Sequence, residues 1–334
     1  MSSARRPVLW YVHHHGVGHW RQALATSRHL DRPVVFASCA PPPSALGERC
    51  RWVELAADQE PAPADPTAGG RLHWAPLGHA GLLRRHCQLL ELAEELRPAL
   101  AVVDISVEVV VLLRTSGLPV ISVRLPGRRD DEAHRLGFDL SEHVVATAPA
   151  HLGLVPPGPT THHVGFVSAI GASDVPWRAG GPIVVIAGSG GTRLDSAVAD
   201  RLARHVPHRG VELVGGRRGQ DAVWIDDPTS LLARASVIVG NAGVGTVADA
   251  VALGRPLVVV PEDRPFGEQA ATAAALARHG LADVVDDPHD LDALVAAVEA
   301  AERRGPPDRA LARGATGFAR LIDETCGDQM AHAS

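Results

Sequence analysis

Residues 238–272 read IVGNAGVGTVADAVALGRPLVVVPEDRPFGEQAAT: an apolar strand, a glycine-rich turn, a helix, a second apolar strand and then a Glu-Gln pair. A turn of this kind admits an anion closely, because glycine removes the Cβ obstruction and a helix N-terminus favours negative charge. Thr246 and Asp249 stand three apart on the following helix and therefore share one face. A diphosphate at the turn would place an attached ribose near the Asp249 carboxylate.

Working outward, strands alternate with helices along the whole chain. Apolar runs at 8–12, 33–37, 51–55, 100–104, 119–124 and 143–146 predict strands, and Leu82, His86, Leu89, Ala93 and Leu96 mark an amphipathic helix closed by Pro98. After Pro156-Pro157-Gly158-Pro159 the pattern restarts, with strands expected at 182–187, 211–214, 222–225, 236–239 and 256–260. Such alternation implies parallel sheets covered on both faces and right-handed crossovers. The expected fold is α/β, two Rossmann-like parallel-sheet domains facing across a cleft, with a hinge near 156–175. Residues 1–160 form the first expected domain and 161–310 the second. A terminal helix within 311–334 is expected to cross back to the first, and the Pro/Ala-rich segment 60–70 reads as a mobile loop.

The composition narrows the class. At 334 residues two cores are the default. A formal net charge of −6, in a sequence without lysine, argues against a nucleic-acid binder. No run approaches the roughly 18 apolar residues of a spanning helix, and MSSARRP followed by VLWYV is too short and polar for a signal peptide. Cys39, Cys50, Cys87 and Cys326 are scattered, which reads as reduced thiols in a cytoplasmic protein.

The run SVIVGNAGVGTVADAVALGRPLVVVPEDRPFGEQ, with AVWIDDPTSLLARASVIVGNAG upstream and the IAGSGGTR turn at 186–193, resembles the carboxyl-terminal donor domain of GT-B glycosyltransferases, the MurG-like enzymes and the UDP-glycosyltransferases in particular. The resemblance implies that Gly243, Val244, Gly245 and Thr246 cradle a diphosphate and that Asp249 binds the ribose. It gives Ile225 backbone bonds to the base, Trp224 a cover over it, and Glu268 and Gln269 the sugar hydroxyls. Gly188, Ser189, Gly190, Gly191, Thr192 and Arg193 would line the phosphate side. Asn241 stands where the UDP-glycosyltransferases carry a histidine, so leaving-group help is expected from the helix end and Arg193. The resemblance implies no catalytic metal and no organic cofactor.

In the amino-terminal half, HHHGVGHW at 13–20 follows the first strand, and strand 100–104 ends in Asp104. Both positions fall at the carboxyl edge of a parallel sheet, where ligands bind. The UDP-glycosyltransferases pair a histidine and an aspartate in these places, which makes His19 the expected general base and Asp104 its orienting partner. His13, His14 and His15 alternate faces on an extended segment and do not suit a shared metal. His15, Gly16, Gly18, Arg124 and His134 are expected toward the acceptor. The positions that contact a lipid diphosphate in MurG-like enzymes read HHHGVGH, DIS and VRLP here, which points away from the peptidoglycan lipid precursor. Trp74, Leu77, Leu82 and Leu83 beside Arg84 and Arg85 suit either peripheral membrane contact or core packing.

The reading that follows is an inverting, metal-independent glycosyltransferase acting from a nucleotide diphosphate sugar, UDP preferred and dTDP allowed, on an unidentified hydroxyl acceptor. A nucleotide-sugar 2-epimerase of the same fold and a non-catalytic nucleotide-sugar-binding partner subunit are the alternatives.

Overall fold

The computed structural model describes residues 5–332 except 15, 45, 60–62, 172 and 217–223. The first sheet contains β1 (Val8–Tyr11), β2 (Val34–Ser38), β3 (Cys50–Glu54), β4 (Leu100–Asp104), β5 (Val120–Arg124), β6 (His143–Ala146) and β7 (Thr161–His163). All pairs are parallel, in the order β3-β2-β1-β4-β5-β6-β7. The second contains β8 (Ile183–Ala187), β9 (Val211–Gly215), β10 (Val237–Asn241), β11 (Leu257–Val260) and β12 (Ala282–Val284), again parallel, in the order β12-β11-β10-β8-β9.

Helices cover both faces of each sheet, which is why β1, β4 and β11 are continuous apolar runs rather than alternating ones. They are α1 (Gly18–Ser27), α2 (Ala80–Leu96), α3 (Val107–Thr115), α4 (Glu132–Asp139), α5 (Ser196–His205), α6 (Thr229–Leu232), α7 (Val244–Leu253), α8 (Glu268–Arg278), α9 (Leu291–Arg304) and α10 (Gly314–His332). Side-chain caps start several of them: Ser106 accepts from the Val109 amide ahead of α3, and Asp131 from the His134 amide ahead of α4. α10 lies on the first sheet beside α1, where Phe318 and Ile322 join Trp10 and Phe36 in one core and Phe318 meets Trp10 edge-on at 5.3 Å. The outgoing and returning chains run side by side, with Phe166 and Leu311 bonded through their backbones at 2.8 Å.

Each sheet reverses its order once, between β1 and β4 in the first and between β8 and β10 in the second. Ligands of open α/β sheets bind outside the carboxyl ends of the strands at that reversal. The segments leaving β1, β4, β8 and β10 are 12–17, 105–106, 188–195 and 242–243, so the fold brings the histidine-rich and glycine-rich stretches to the two facing crevices.

Three expectations need amendment. β7 and β12 are strands of three residues, too short for a pattern to announce them. Residues 222 and 223 of the expected strand 222–225 lie outside the described residues, while Trp224 and Ile225 are irregular chain. Of the expected mobile loop, residues 60–62 also lie outside, and the chain beyond is a turn held by Leu77 bonding the Ala64 carbonyl at 3.0 Å and Ala75 bonding Pro66. No described helix is long and apolar enough to cross a membrane.

Candidate active site

On the second domain the glycine loop is built from within. Asn241 ends β10, and its Oδ1 accepts from the Gly243 amide at 3.0 Å and the Thr246 hydroxyl at 3.2 Å. Gly243 is the N-cap of α7 and offers no side-chain cap, so the first amides of that helix face outward. A Cβ on Gly188 would lie 2.3 Å from Asn241 Nδ2, so only glycine lets the loop after β8 pass this close. Gln269 Oε1 accepts from the amides of Ala242 at 3.2 Å and Glu262 at 2.9 Å, tying the loops after β10 and β11 together. Glu262 in turn holds Thr192 Oγ1 at 3.1 Å and the Arg193 amide at 2.7 Å.

The expected donor residues divide. Gly188, Asn241, Gly243 and Thr246 lie together at the N-terminus of α7, which Val244 and Gly245 open, while Ser189 reaches the seam at Val17. The Arg193 guanidinium is turned onto Glu262, the Asp286 carbonyl at 2.7 Å and the Pro261 carbonyl at 2.6 Å, so it braces the domain. A cation that sequence reasoning passed over, Arg264, reaches the Gly191 carbonyl at 2.6 Å from the loop after β11. Asp249 is buried and accepts from Ser168 Oγ at 2.8 Å and the Ala169 amide at 3.2 Å, with Arg21 of α1 3.4 Å away. Burial raises its carboxyl above the usual range against the pull of Arg21. Trp224 bonds Asp226 at 2.6 Å, and Ile225 is exposed at the open edge.

On the first domain, Asp104 Oδ2 lies 2.7 Å from His19 Nδ1 and accepts from the His13 amide at 3.4 Å. That bond assigns the proton to Nδ1 and leaves Nε2 as the basic nitrogen. Ile105, next in the chain, takes φ +54°, a strained value for a β-branched residue that turns the backbone sharply after Asp104. Burial opposes a charge on His19. The Asp104 charge and hydrogen bond, with Glu268 across the cleft, outweigh it, and the imidazole sits above its ordinary value although Arg129 pulls it down.

The two domains meet through specific contacts. The Val17 amide donates to Ser189 Oγ at 3.1 Å. Gly18 approaches Gly245, and Arg21 approaches Asp249 one turn further along both helices. α1 and α7 therefore run side by side in the same direction with both N-termini at the cleft, each carrying about half a positive charge. Beyond them, the Arg128 amide donates to the Phe266 carbonyl at 2.8 Å, where a Cβ on Gly127 would lie 2.5 Å from that oxygen. Arg129 then bonds Glu268 at 3.2 Å and stands over the Phe266 ring. Burial raises the Glu268 carboxyl, and Arg129 and His19 counteract it.

A cavity of about 440 Å³ opens in the first domain beside the pair, lined by His13 and Ile105 near Asp104 and by Trp74, Arg85, His86 and Glu108 further in. The loops after β1 and β4 form one wall and α2 another. The expected acceptor residues are elsewhere. His15 lies outside the described residues. Gly16 and Gly18 sit at the seam, and Arg124 covers Phe138 at 4.7 Å. His134 bonds Asp131 at 2.5 Å and Arg129 at 3.2 Å, and Asp131 continues to His73 at 3.0 Å. A polar chain thus links Glu268 to the cavity wall. Trp74 and Leu82 face this cavity, whereas Leu77 and Leu83 are exposed. Sequence reasoning missed Arg85, His86 and Glu108 because helix periodicity alone does not show which side of α2 and α3 borders a void.

Comparison with known proteins bears on the fold. The glycosyltransferase family 28 C-terminal domain matches residues 220–324. A UDP-N-acetylglucosamine–N-acetylmuramyl-(pentapeptide) pyrophosphoryl-undecaprenol N-acetylglucosamine transferase of Rhizobium leguminosarum bv. trifolii is 31% identical over 185 residues, 42% of this chain and 49% of the relative. The chain thus spans about half the length of the curated relatives it first matches. MurG of Acinetobacter baumannii superposes with a TM-score of 0.61 at 14% identity, covering 96% of this chain and 99% of that one. A UDP-glucosyltransferase from Polygonum tinctorium gives 0.65 at 16% identity, covering 97% and 100%. The chain thus has the GT-B fold, and residues 220–324 of its second half match the glycosyltransferase family 28 C-terminal domain.

Proposed function

We propose that this protein is an inverting glycosyltransferase that moves a sugar from a nucleotide diphosphate sugar, UDP preferred, to the hydroxyl of an acceptor held in the first domain. The observation that carries the reading is the His19–Asp104 pair, 2.7 Å apart at the reversal of one sheet and facing the glycine loop of the other. His19 Nε2 takes the proton of the acceptor hydroxyl, and that oxygen bonds to the sugar anomeric carbon. The bond from this carbon to the diphosphate oxygen breaks on the opposite face, and the electron pair leaves with the diphosphate. Asp104 holds the imidazole tautomer and stabilises the imidazolium that forms. The outward amides of α7, with the positive end of α1 beside them, stabilise the leaving group without a proton donor. Glu268 is the sugar-hydroxyl ligand in this reading, and Gln269 braces the loops through its oxygen while its amide nitrogen stays toward the glycine turn. The name of the Rhizobium relative carries a UDP-N-acetylglucosamine donor, which supports UDP as the nucleotide.

The test separates chemistry from binding. His19→Ala should lower transfer by about 10²–10⁴ while UDP binds as tightly as to the parent protein in calorimetry. Equal loss of UDP affinity sinks the base role. A thermal-shift panel of UDP, dTDP and NAD addresses the donor, since a ligand at about 100 times its dissociation constant adds roughly 2.7 kcal/mol. A shift with NAD alone overturns the donor site.

A further inference from the structure

The cavity beside His19 also constrains its occupant. It has the volume of a small-molecule site, and its charges can be followed one by one. Arg85, the one arginine among its described lining residues, is already spent. Its guanidinium pairs with Asp58 and donates to the Ala56 carbonyl at 3.0 Å and Cys39 Sγ at 3.1 Å. The Glu108 carboxyl hydrogen-bonds only neutral groups among the described residues. Its Oε1 accepts from the amides of His73 at 2.7 Å and Trp74 at 2.9 Å, and its Oε2 from the Ser106 hydroxyl at 3.1 Å. Asp58, the other lining carboxylate, is the one that pairs with Arg85.

The walls are flat. The Trp74 indole N–H is fixed to the Asp58 carbonyl at 3.0 Å, which sets the ring, and His13 and His14 stack at 4.6 Å. His86 is also in the lining, and its Nε2 is buried without a hydrogen-bond partner among the described residues, an uncompensated group that a ligand hydroxyl or amine would satisfy. A phosphate in this space meets the Glu108 carboxylate and, among the described residues, no guanidinium free of a carboxylate, and it offers no proton donor to Glu108.

We propose that the acceptor is a flat aromatic hydroxyl compound, uncharged or amine-bearing, and that the cavity selects against phosphate-bearing acceptors. The proposal rests on reading His19 as the base that defines which cavity holds the acceptor. Trp74 and the stacked imidazoles supply the platform, His86 takes a polar substituent, and Glu108 sets the charge preference.

Calorimetric titration of the whole chain, saturated with UDP, compares 2-naphthol with 2-naphthyl phosphate. The neutral compound should bind at least tenfold more tightly than the phosphate. Trp74→Ala should weaken 2-naphthol at least tenfold, and Glu108→Gln, which keeps the amide-accepting oxygen, should narrow the gap between the two ligands. Equal or tighter binding of the phosphate overturns the proposal, as does absence of 2-naphthol binding to a protein that binds UDP. A protein that discriminates the naphthyl pair but does not bind UDP keeps the cavity assignment and loses the glycosyl-transfer reading.

Discussion

At the scale of the residue, the His19–Asp104 contact has a measurable signature. A histidine whose folded pKa is raised is protonated over a wider range, and a base must be unprotonated to act. The rate kcat/KM should therefore rise with pH through an apparent pKa above the ordinary 6.5 and level off beyond it. Asp104→Asn removes the raising charge, leaving burial to dominate. The limb should move to lower pH while kcat falls by about 10²–10⁴, measured as a pH–rate profile of both proteins. An unmoved limb would mean that another group titrates. The positions of His19 and Asp104 were readable from sequence because one opens the helix that follows β1 and the other ends β4, where topology fixes the side of the sheet. The orientation of Arg193 was not. A guanidinium on a loop turns toward whichever carboxylate lies within reach, here Glu262, and spacing along the chain does not encode that choice.

At the scale of the element, the apolar runs placed ten of the twelve strands, two of them (β10 and β11) from the opening stretch alone. They fail where a strand is short and half-exposed: Thr161–His163 has no apolar residue, and Ala282–Val284 pairs only with β11. Loops are less forgiving than strands because their amides must be arranged before a ligand arrives. Gly188→Ala makes that testable. The added methyl falls on Asn241 Nδ2, and Asn241 cannot rotate away without releasing the Gly243 amide and Thr246. UDP affinity should drop at least tenfold in calorimetry, with a stability change of only about 1 kcal/mol in urea. Unchanged affinity would show that the loop is not part of the nucleotide site.

At the scale of the whole molecule, the chain leaves the first domain near Phe166 and returns beside the same residue, so two strands of backbone join the halves. The seam between them is mainly polar: Val17 with Ser189, Arg21 with Asp249, and Arg129 with Glu268. Contacts of this kind are exchangeable with water and with ligand groups, and relative motion of the halves is the expected consequence. None of these cross-domain pairs could be read from the sequence, since each joins residues more than 130 positions apart whose meeting depends on the angle between two separately folded units.

The side-by-side helices α1 and α7 carry a consequence for turnover. In the proposed reaction, transfer frees the terminal phosphate of the nucleotide from its sugar ester, and with a pKa near 6 that phosphate gains about one negative charge at neutral pH. Two converging positive helix ends hold this product more tightly than the donor that precedes it. Nucleotide departure, coupled to parting of the halves, should then limit steady-state cycling. Rapid mixing should show a burst of one sugar transferred per protein, followed by a slower linear phase. UDP should compete with the donor at an inhibition constant below the donor KM. Linear product formation from the first turnover would place the slow step in the chemistry instead.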